Sequence, residues 1–262
     1  MLFINCWFGR TGNNMLQIIR AIHYAKINNH KNIKFKYHNM LKSNDIILND
    51  KKINNIIIQD SFFYIKKLNI NDPEPYLMKK YFQKYIKPIF KINFNKNNIF
   101  DDNKLFIHIR GGDIFSSNPH SAYVQPPLSY YTNIIKKYKN IKLICEDKKN
   151  PCINELIKLN NVEYTSNSLK EDLENFLDST QLMIGFGTFG FLLYLINENL
   201  KILYIPKYFI DELPSGKWGN IEIISIELPN YIKIGEWKNT PVQRHIIINY
   251  IIIFLIFSFP IS

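Results

Sequence analysis

Cysteine is scarce in this chain of 262 residues, with Cys6, Cys145 and Cys152 the whole complement. Three thiols cannot all pair within one chain, and their spacing matches no metal-ligand pattern, so a disulfide framework and a zinc module are both excluded. A reducing compartment is the expected setting. No long polar or Pro/Gly-rich tract is present, which excludes an extended disordered region. Acidic residues are also few, 22 against 33 Lys and Arg, leaving a formal charge of +11. Such an excess suits an anionic partner. The lysines are scattered, however, as at Lys34, Lys36, Lys66, Lys67, Lys79, Lys80, Lys136 and Lys137. Lys, Asn, Ile, Tyr and Phe are abundant together, as AT-rich codons would produce, so nucleic acid is not the expected partner.

What is present is core material: 46% of residues are hydrophobic and 15% aromatic. Beyond ~250 residues a single core tends to split, so two lobes are expected. The opening apolar run, Met1 to Phe8, is too short for a signal peptide and reads as a first strand, which favours the cytoplasm or the cytoplasmic face of a membrane. From Ile246 to Ser262 the chain is almost wholly apolar. A bilayer span needs ~17–25 residues, so this tail reads either as a marginal anchor giving weak membrane association or as a last strand or helix packed on the core. Lys238, Arg244 and His245 before it would keep the main domain cytoplasmic if it were an anchor.

Periodicity sets the architecture. Residues 2–6 read as a buried strand, 9–14 as a turn and 15–28 as a helix. Residues 33–70 suggest short strands or helices under loops, and 75–91 a helical run ending near Pro88. Strands are expected at 105–109, 141–145, 162–164, 182–185 and 201–205, alternating with helices at 129–138, 155–157, 169–177 and 189–197. This alternation predicts an α/β fold with parallel sheets covered on both faces, in which ligands sit at the carboxyl ends of strands.

Polar motifs fall at those ends. In His108-Ile109-Arg110-Gly111-Gly112-Asp113, strand alternation places His108 and Arg110 on one face, and the glycines let backbone turn closely around whatever Arg110 holds. A guanidinium fork suits phosphate oxygens, and Asp113 would orient it or act as a base. A plain Arg–Asp ion pair beside a turn fits equally. Gly9-Arg10-Thr11-Gly12-Asn13-Asn14 lies between strand and helix, where N–H groups could hold an anion or a sugar, or where asparagine merely caps. Gly185-Phe186-Gly187-Thr188-Phe189-Gly190 offers a hydroxyl and another helix start, or only a Thr188 cap. Downstream, the proline-stiffened stretch 118–131 brings His120, Tyr123 and Gln125 beside the site, either to read acceptor hydroxyls or as scaffold.

Together these segments, with Gln17, Ala21 and Asp178 to Phe191, resemble glycosyltransferase family 11, the alpha-1,2-fucosyltransferases. More loosely they are similar to the superfamily that adds the alpha-1,6- and protein O-fucosyltransferases, over most of residues 3–206. The resemblance implies a GT-B fold of two Rossmann-like lobes with a cleft between them. Residues 1–100 would form the acceptor-side lobe, 101–243 the nucleotide-sugar lobe, and 244–262 the apolar tail. It implies GDP-fucose as donor, a glycan acceptor, inversion, and no metal or other cofactor. By position, Arg110 would bind the beta-phosphate, and His108 and Gly111 would line the nucleotide site. Thr188 and Phe189 would complete the diphosphate cradle, with Asp178 at the nucleobase. Gly9, Arg10, Gly12 and Asn13 would face the sugar or acceptor, and Arg110 and Asp113 would serve catalysis. Family members commonly carry two adjacent arginines, whereas Gly111 fills the second place here. A second phosphate contact would then come from Arg10 or a lysine. Another nucleotide-sugar transferase, or a non-catalytic glycan- or nucleotide-binding relative, are the alternatives.

Overall fold

Short β-branched runs separated by amphipathic stretches fold here into two α/β units. The computed structural model describes residues 1–48, 56–95, 100–231 and 235–251. One unit comprises Met1–Asn93, Phe191–Ile196 and Pro214–Gly219, the other Phe94–Gly190, Asn197–Leu213 and Asn220–Ser262. The two later segments that cluster with the first unit depart from a single boundary near residue 100.

The first unit opens with β1 (Leu2–Ile4), α1 (Thr11–Ile27), β2 (Asn32–Phe35), β3 (Asp45–Ile47) and β4 (Ile58–Asp60). Its sheet runs β3-β2-β1-β4, with β1 parallel to both β2 and β4 and β3 antiparallel at one edge. Helix α1 buries Met15, Ile18, Ile19, Ile22 and Ala25 completely, the i, i+3, i+4, i+7 stripe of an amphipathic helix. It starts at Thr11, four residues earlier than the periodicity suggests, so Gly12, Asn13 and Asn14 form its first turn instead of a loop. The run through 75–91 is helical but mixed. After α2 (Pro75–Tyr81) come a π turn over Phe82–Ile86 and a 3-10 turn over Lys87–Ile89. Pro88 has no N–H to continue the ladder.

The second unit contains β5 (Lys104–His108), α3 (Leu128–Ile135), β6 (Asn140–Ile144), α4 (Pro151–Leu156), β7 (Val162–Thr165), α5 (Leu169–Phe176), β8 (Gln181–Ile184), the first turn of α6 (Thr188–Ile196), whose residues from Phe191 cluster with the first unit, β9 (Ile202–Pro206), α7 (Lys207–Ile210), β10 (Glu222–Ile226) and α8 (Pro241–Asn249). Its six strands are all parallel, in the order β10-β9-β8-β5-β6-β7. Counted from β5, that is 3-2-1-4-5-6, the doubly wound order.

Alternation along the strands feeds two faces. Leu105, Ile107, Ile141, Leu143 and Met183 join Tyr130, Tyr131, Ile134, Cys152, Ile153 and Ile247 in one wholly buried cluster under α3, α4 and α8. Each such aliphatic side chain contributes ~1.5–3 kcal/mol on burial. Phe106 and His108 turn to the opposite face, where both rings meet Phe176 of α5. Side chains close the helix starts: Ser168 and Glu171 form a capping box on α5, Thr240 and Gln243 another on α8, and Asn150 caps α4.

Of the apolar tail, the described part up to Asn249 is α8, with Ile247 buried in the core, and the Ser129 hydroxyl donates to the Tyr250 carbonyl at 2.6 Å. The rest of the candidate anchor, residues 252–262, lies outside the described residues. Among the described residues no helix is long and apolar enough to cross a membrane.

Candidate functional site

Strands β5 and β8 are neighbours, yet the chain leaves β5 toward β6 and leaves β8 toward β9. The loops at their carboxyl ends therefore diverge, which is where open α/β sheets bind ligands. These loops are 109–113 and 185–187, carrying two of the three sequence motifs.

Arg110 stands at this point with its side chain only 13% exposed. Among the described residues its guanidinium donates only from Nη2, to the Asp113 carboxylate at 3.3 and 3.4 Å. Nε and Nη1 are left without an acceptor there. Beneath the fork lies the Tyr123 ring, its centre 4.1 Å from the guanidinium carbon, a cation–π contact that fixes the plane of the fork. On another side is Gly187, where a Cβ would come within 2.8 Å of Nη1. The Arg110 carbonyl accepts from Nδ2 of the wholly buried Asn150 at 3.1 Å, while the Asn150 side-chain oxygen accepts the Cys152 N–H at 3.0 Å. One amide thus ties the arginine's backbone to the start of α4.

The glycines after Arg110 answer to two carboxylates that the motif did not signal. Gly112 donates its N–H to both Asp147 oxygens at 3.2 Å. A Cβ on Gly111 would stand 2.3 Å from Asp147 Oδ1, and one on Gly112, at φ +64°, 2.5 Å from Glu146 Oε2. The place next to Arg110 is therefore filled by an anion as well as emptied of a cation. Glu146 and Asp147 come just after β6, separated from its end at Ile144 by Cys145 alone, the same strand-end position in the neighbouring strand.

His108 is half-buried, its ring 4.8 Å from Phe189 and 6.1 Å from Phe176, centre to centre. Thr188 begins α6 and Phe189 follows it, both partly exposed. His108, Arg110, Gly111, Asp113, Tyr123, Thr188 and Phe189 all belong to this carboxyl edge. His120 is exposed and packs edge-on to Tyr123 at 5.0 Å.

Two expectations are corrected here. Asp178 lies in the turn before β8, at the amino end of a four-residue strand whose carboxyl end faces the site. At ~3.3 Å per residue the strand holds it on the opposite edge of the sheet, away from any nucleobase bound there. Gln125 is wholly buried and reads no acceptor. Its Nε2 donates to the carbonyls of Tyr123 at 3.2 Å and Phe186 at 3.4 Å, and its backbone carbonyl accepts from the Tyr231 hydroxyl at 2.6 Å. With the Tyr208 hydroxyl donating to Val124 and that of Tyr130 to Ile184, it makes the stretch 123–126 a rigid bracket under Arg110.

Two of the three thiols, Cys145 and Cys152, are buried. Burial and neighbouring Asp172 push Cys145 up to about 12, and burial raises Cys152 further. Among the described residues no group of three or more His, Cys, Asp or Glu could hold a metal ion.

The remaining motif belongs to the first unit. Gly9 has φ +65°, and the Asn13 amide packs where its Cβ would be. Gly9 and Arg10 are exposed and Asn13 half-buried, but Gly12 is buried in the first turn of α1 and cannot face a sugar. Behind the turn, Asn14 Nδ2 donates to the Phe8 carbonyl at 2.9 Å. His38 Nδ1 accepts the Met40 N–H at 3.2 Å, which leaves Nε2 to donate to Asn14 Oδ1 at 3.1 Å. This network needs a neutral imidazole, and burial, with Lys91 nearby, lowers the His38 pKa.

No protein-family model, no curated protein and no solved structure matches the chain.

Proposed function

We propose that this chain is a glycosyltransferase of the GT-B kind, moving fucose from GDP-fucose to a glycan hydroxyl with inversion and without a metal. The second unit would take the nucleotide sugar and the first the acceptor. The observation that carries the reading is Arg110, a mostly buried guanidinium with donors to spare at the point where the sheet's strand order reverses.

In this reading the acceptor oxygen attacks the anomeric carbon as the glycosidic bond to the beta-phosphate breaks, and negative charge develops on the departing diphosphate. Fixed donors stabilise that charge best when they are held in place beforehand. Tyr123 below the guanidinium and Asn150 behind its backbone supply that rigidity. The N–H groups at the start of α6 would take the same phosphates. Asp113, paired with Arg110, would orient the fork or accept the acceptor's proton.

Asp147 favours a second reading, a transferase for another nucleotide sugar, because its carboxylate stands where a second phosphate-binding cation would project. A panel of GDP- and UDP-sugars, scored by nucleotide released with and without oligosaccharide, tests both. Release from GDP-fucose that depends on acceptor supports the first reading, and release from a UDP-sugar alone the second. No release from any donor would end both.

A further inference from the structure

At the carboxyl edge of the four-stranded sheet, the backbone is strained in a way that keeps aromatic rings outside the core. Phe62 has φ +53°, a left-handed conformation that bulky side chains rarely adopt. Its own ring is wholly buried, 5.7 Å from that of Tyr24. Inward rotation at Phe62 turns the following residues outward, so that Tyr64 is 59% exposed and Phe63 packs against Phe8, itself 46% exposed, at 5.5 Å. Phe63 and Tyr64 meet edge-on at 4.6 Å.

This segment is held from several directions. The Asp60 carboxylate accepts the Phe62 N–H at 2.6 Å and the Ser61 hydroxyl accepts the Phe63 N–H at 3.3 Å. Arg20, locked to Asp72, donates from Nη1 to the Phe63 carbonyl at 2.6 Å. Gln17, wholly buried, joins the two halves of the aromatic row. Its Oε1 accepts the Phe8 N–H at 2.9 Å, and its Nε2 donates to the Ser61 carbonyl at 2.6 Å. Strain that so many contacts over-determine is characteristic of binding sites. Single exposed apolar residues need no explanation, but three rings in a contacting row, with Phe63 in the middle, do.

We propose that Phe8, Phe63 and Tyr64 form a carbohydrate-binding platform, the acceptor subsite of the transferase. A pyranose presents an apolar C–H face and a rim of hydroxyls. Rigid rings with few torsions suit the face, and exposed Arg10 and half-buried Asn13, at the neighbouring start of α1, suit the rim. A membrane interface also accepts aromatic rings, and the vesicle arm of the test separates it from a sugar. Only the fate of the bound sugar rests on the transferase reading.

The test is donor-free binding of the full chain to a glycan array, with affinities for retained glycans measured by saturation-transfer NMR. Wild type is expected to retain neutral oligosaccharides. Phe8→Ala and Tyr64→Ala should each weaken binding by roughly tenfold, the equivalent of losing one stacked ring. Tyr64→Phe should stay near wild type, and Arg110→Ala should keep full glycan affinity. Both truncated rings are exposed, and an unchanged thermal midpoint verifies folding. Retention of no glycan by the wild type, undiminished binding by the double variant Phe8→Ala/Tyr64→Ala, or adsorption to phosphatidylcholine vesicles in place of glycans would each overturn the platform. Ring-dependent glycan binding with no transfer from any donor would remove the transferase and leave the platform standing.

Discussion

Gly187 leaves the space that Arg110 fills: a Cβ on residue 187 would stand 2.8 Å from Nη1, and the residue's φ of +130° is one that side chains rarely adopt. Gly187→Ala is therefore expected to push the guanidinium aside and to cost at least ~1 kcal/mol of stability. Affinity for GDP, measured by calorimetry, should fall about tenfold or more. Unaltered affinity would show that the fork does not reach the phosphates.

Arg110→Ala removes the fork itself. Turnover should drop by roughly 100- to 1,000-fold, the usual effect of losing one donor to a developing oxyanion. The thermal midpoint should change little, because the partner left behind, Asp113, is mostly exposed.

Tyr123 acts on Arg110 through its π face. Tyr123→Phe keeps the ring and should retain GDP affinity. Tyr123→Ala should lose about twofold to fivefold, the worth of a partly exposed cation–π contact.

The carboxylate of Asp147 and the bareness of Gly111 are two sides of one contact. Gly111→Ala should lower the thermal midpoint, since its Cβ would meet Asp147 Oδ1 at 2.3 Å. Asp147→Ala in the same chain should recover part of the loss, giving a coupling of about 0.5–3 kcal/mol in a double-mutant cycle. Additive effects would mean that the loop simply shifts away.

Acid should loosen the first unit. Burial is the chief cause lowering the pKa of His23, His30 and His38 below the ordinary 6.5. The unfolded chain then takes up protons that the folded one resists, so stability is full above pH 6.5 and declines as pH falls below it. His38→Ala should flatten part of this acid limb in urea melts across pH 5–7, about the range where histidine titrates. The other two histidines would preserve the rest.

Much of this is legible in the sequence. Seven of the ten glycines, Gly9, Gly12, Gly111, Gly112, Gly185, Gly187 and Gly190, lie in the three singled-out segments. Strands buried on both faces read as unbroken apolar runs, so β5, β6, β8 and β9 stood out. In the first unit β1 also reads as an apolar run, whereas β3 and β4 have only three residues each, too few to show a period.

Other features follow from direction and tertiary context. Asp178 was misplaced because closeness in sequence to the Gly185 turn says nothing about which end of β8 a residue occupies. Gln125 looked like a recognition residue since a polar side chain beside a motif reads the same whether it faces ligand or ties loops together. Glu146 and Asp147 carry no motif, though the rule that ligands meet strand ends applied to β6 as well as to β5. Nothing local marks Phe62, which has the left-handed backbone of a glycine without being one.

The strand order also fixes when Arg110 can meet Gly187. Since β5 and β8 lie side by side while β6 and β7 intervene along the polypeptide, a chain emerging from the ribosome holds Arg110 long before it holds Gly187. No nascent chain that ends before β8 can bring the two loops together, so the crevice forms only once β6, β7 and β8 have all been made.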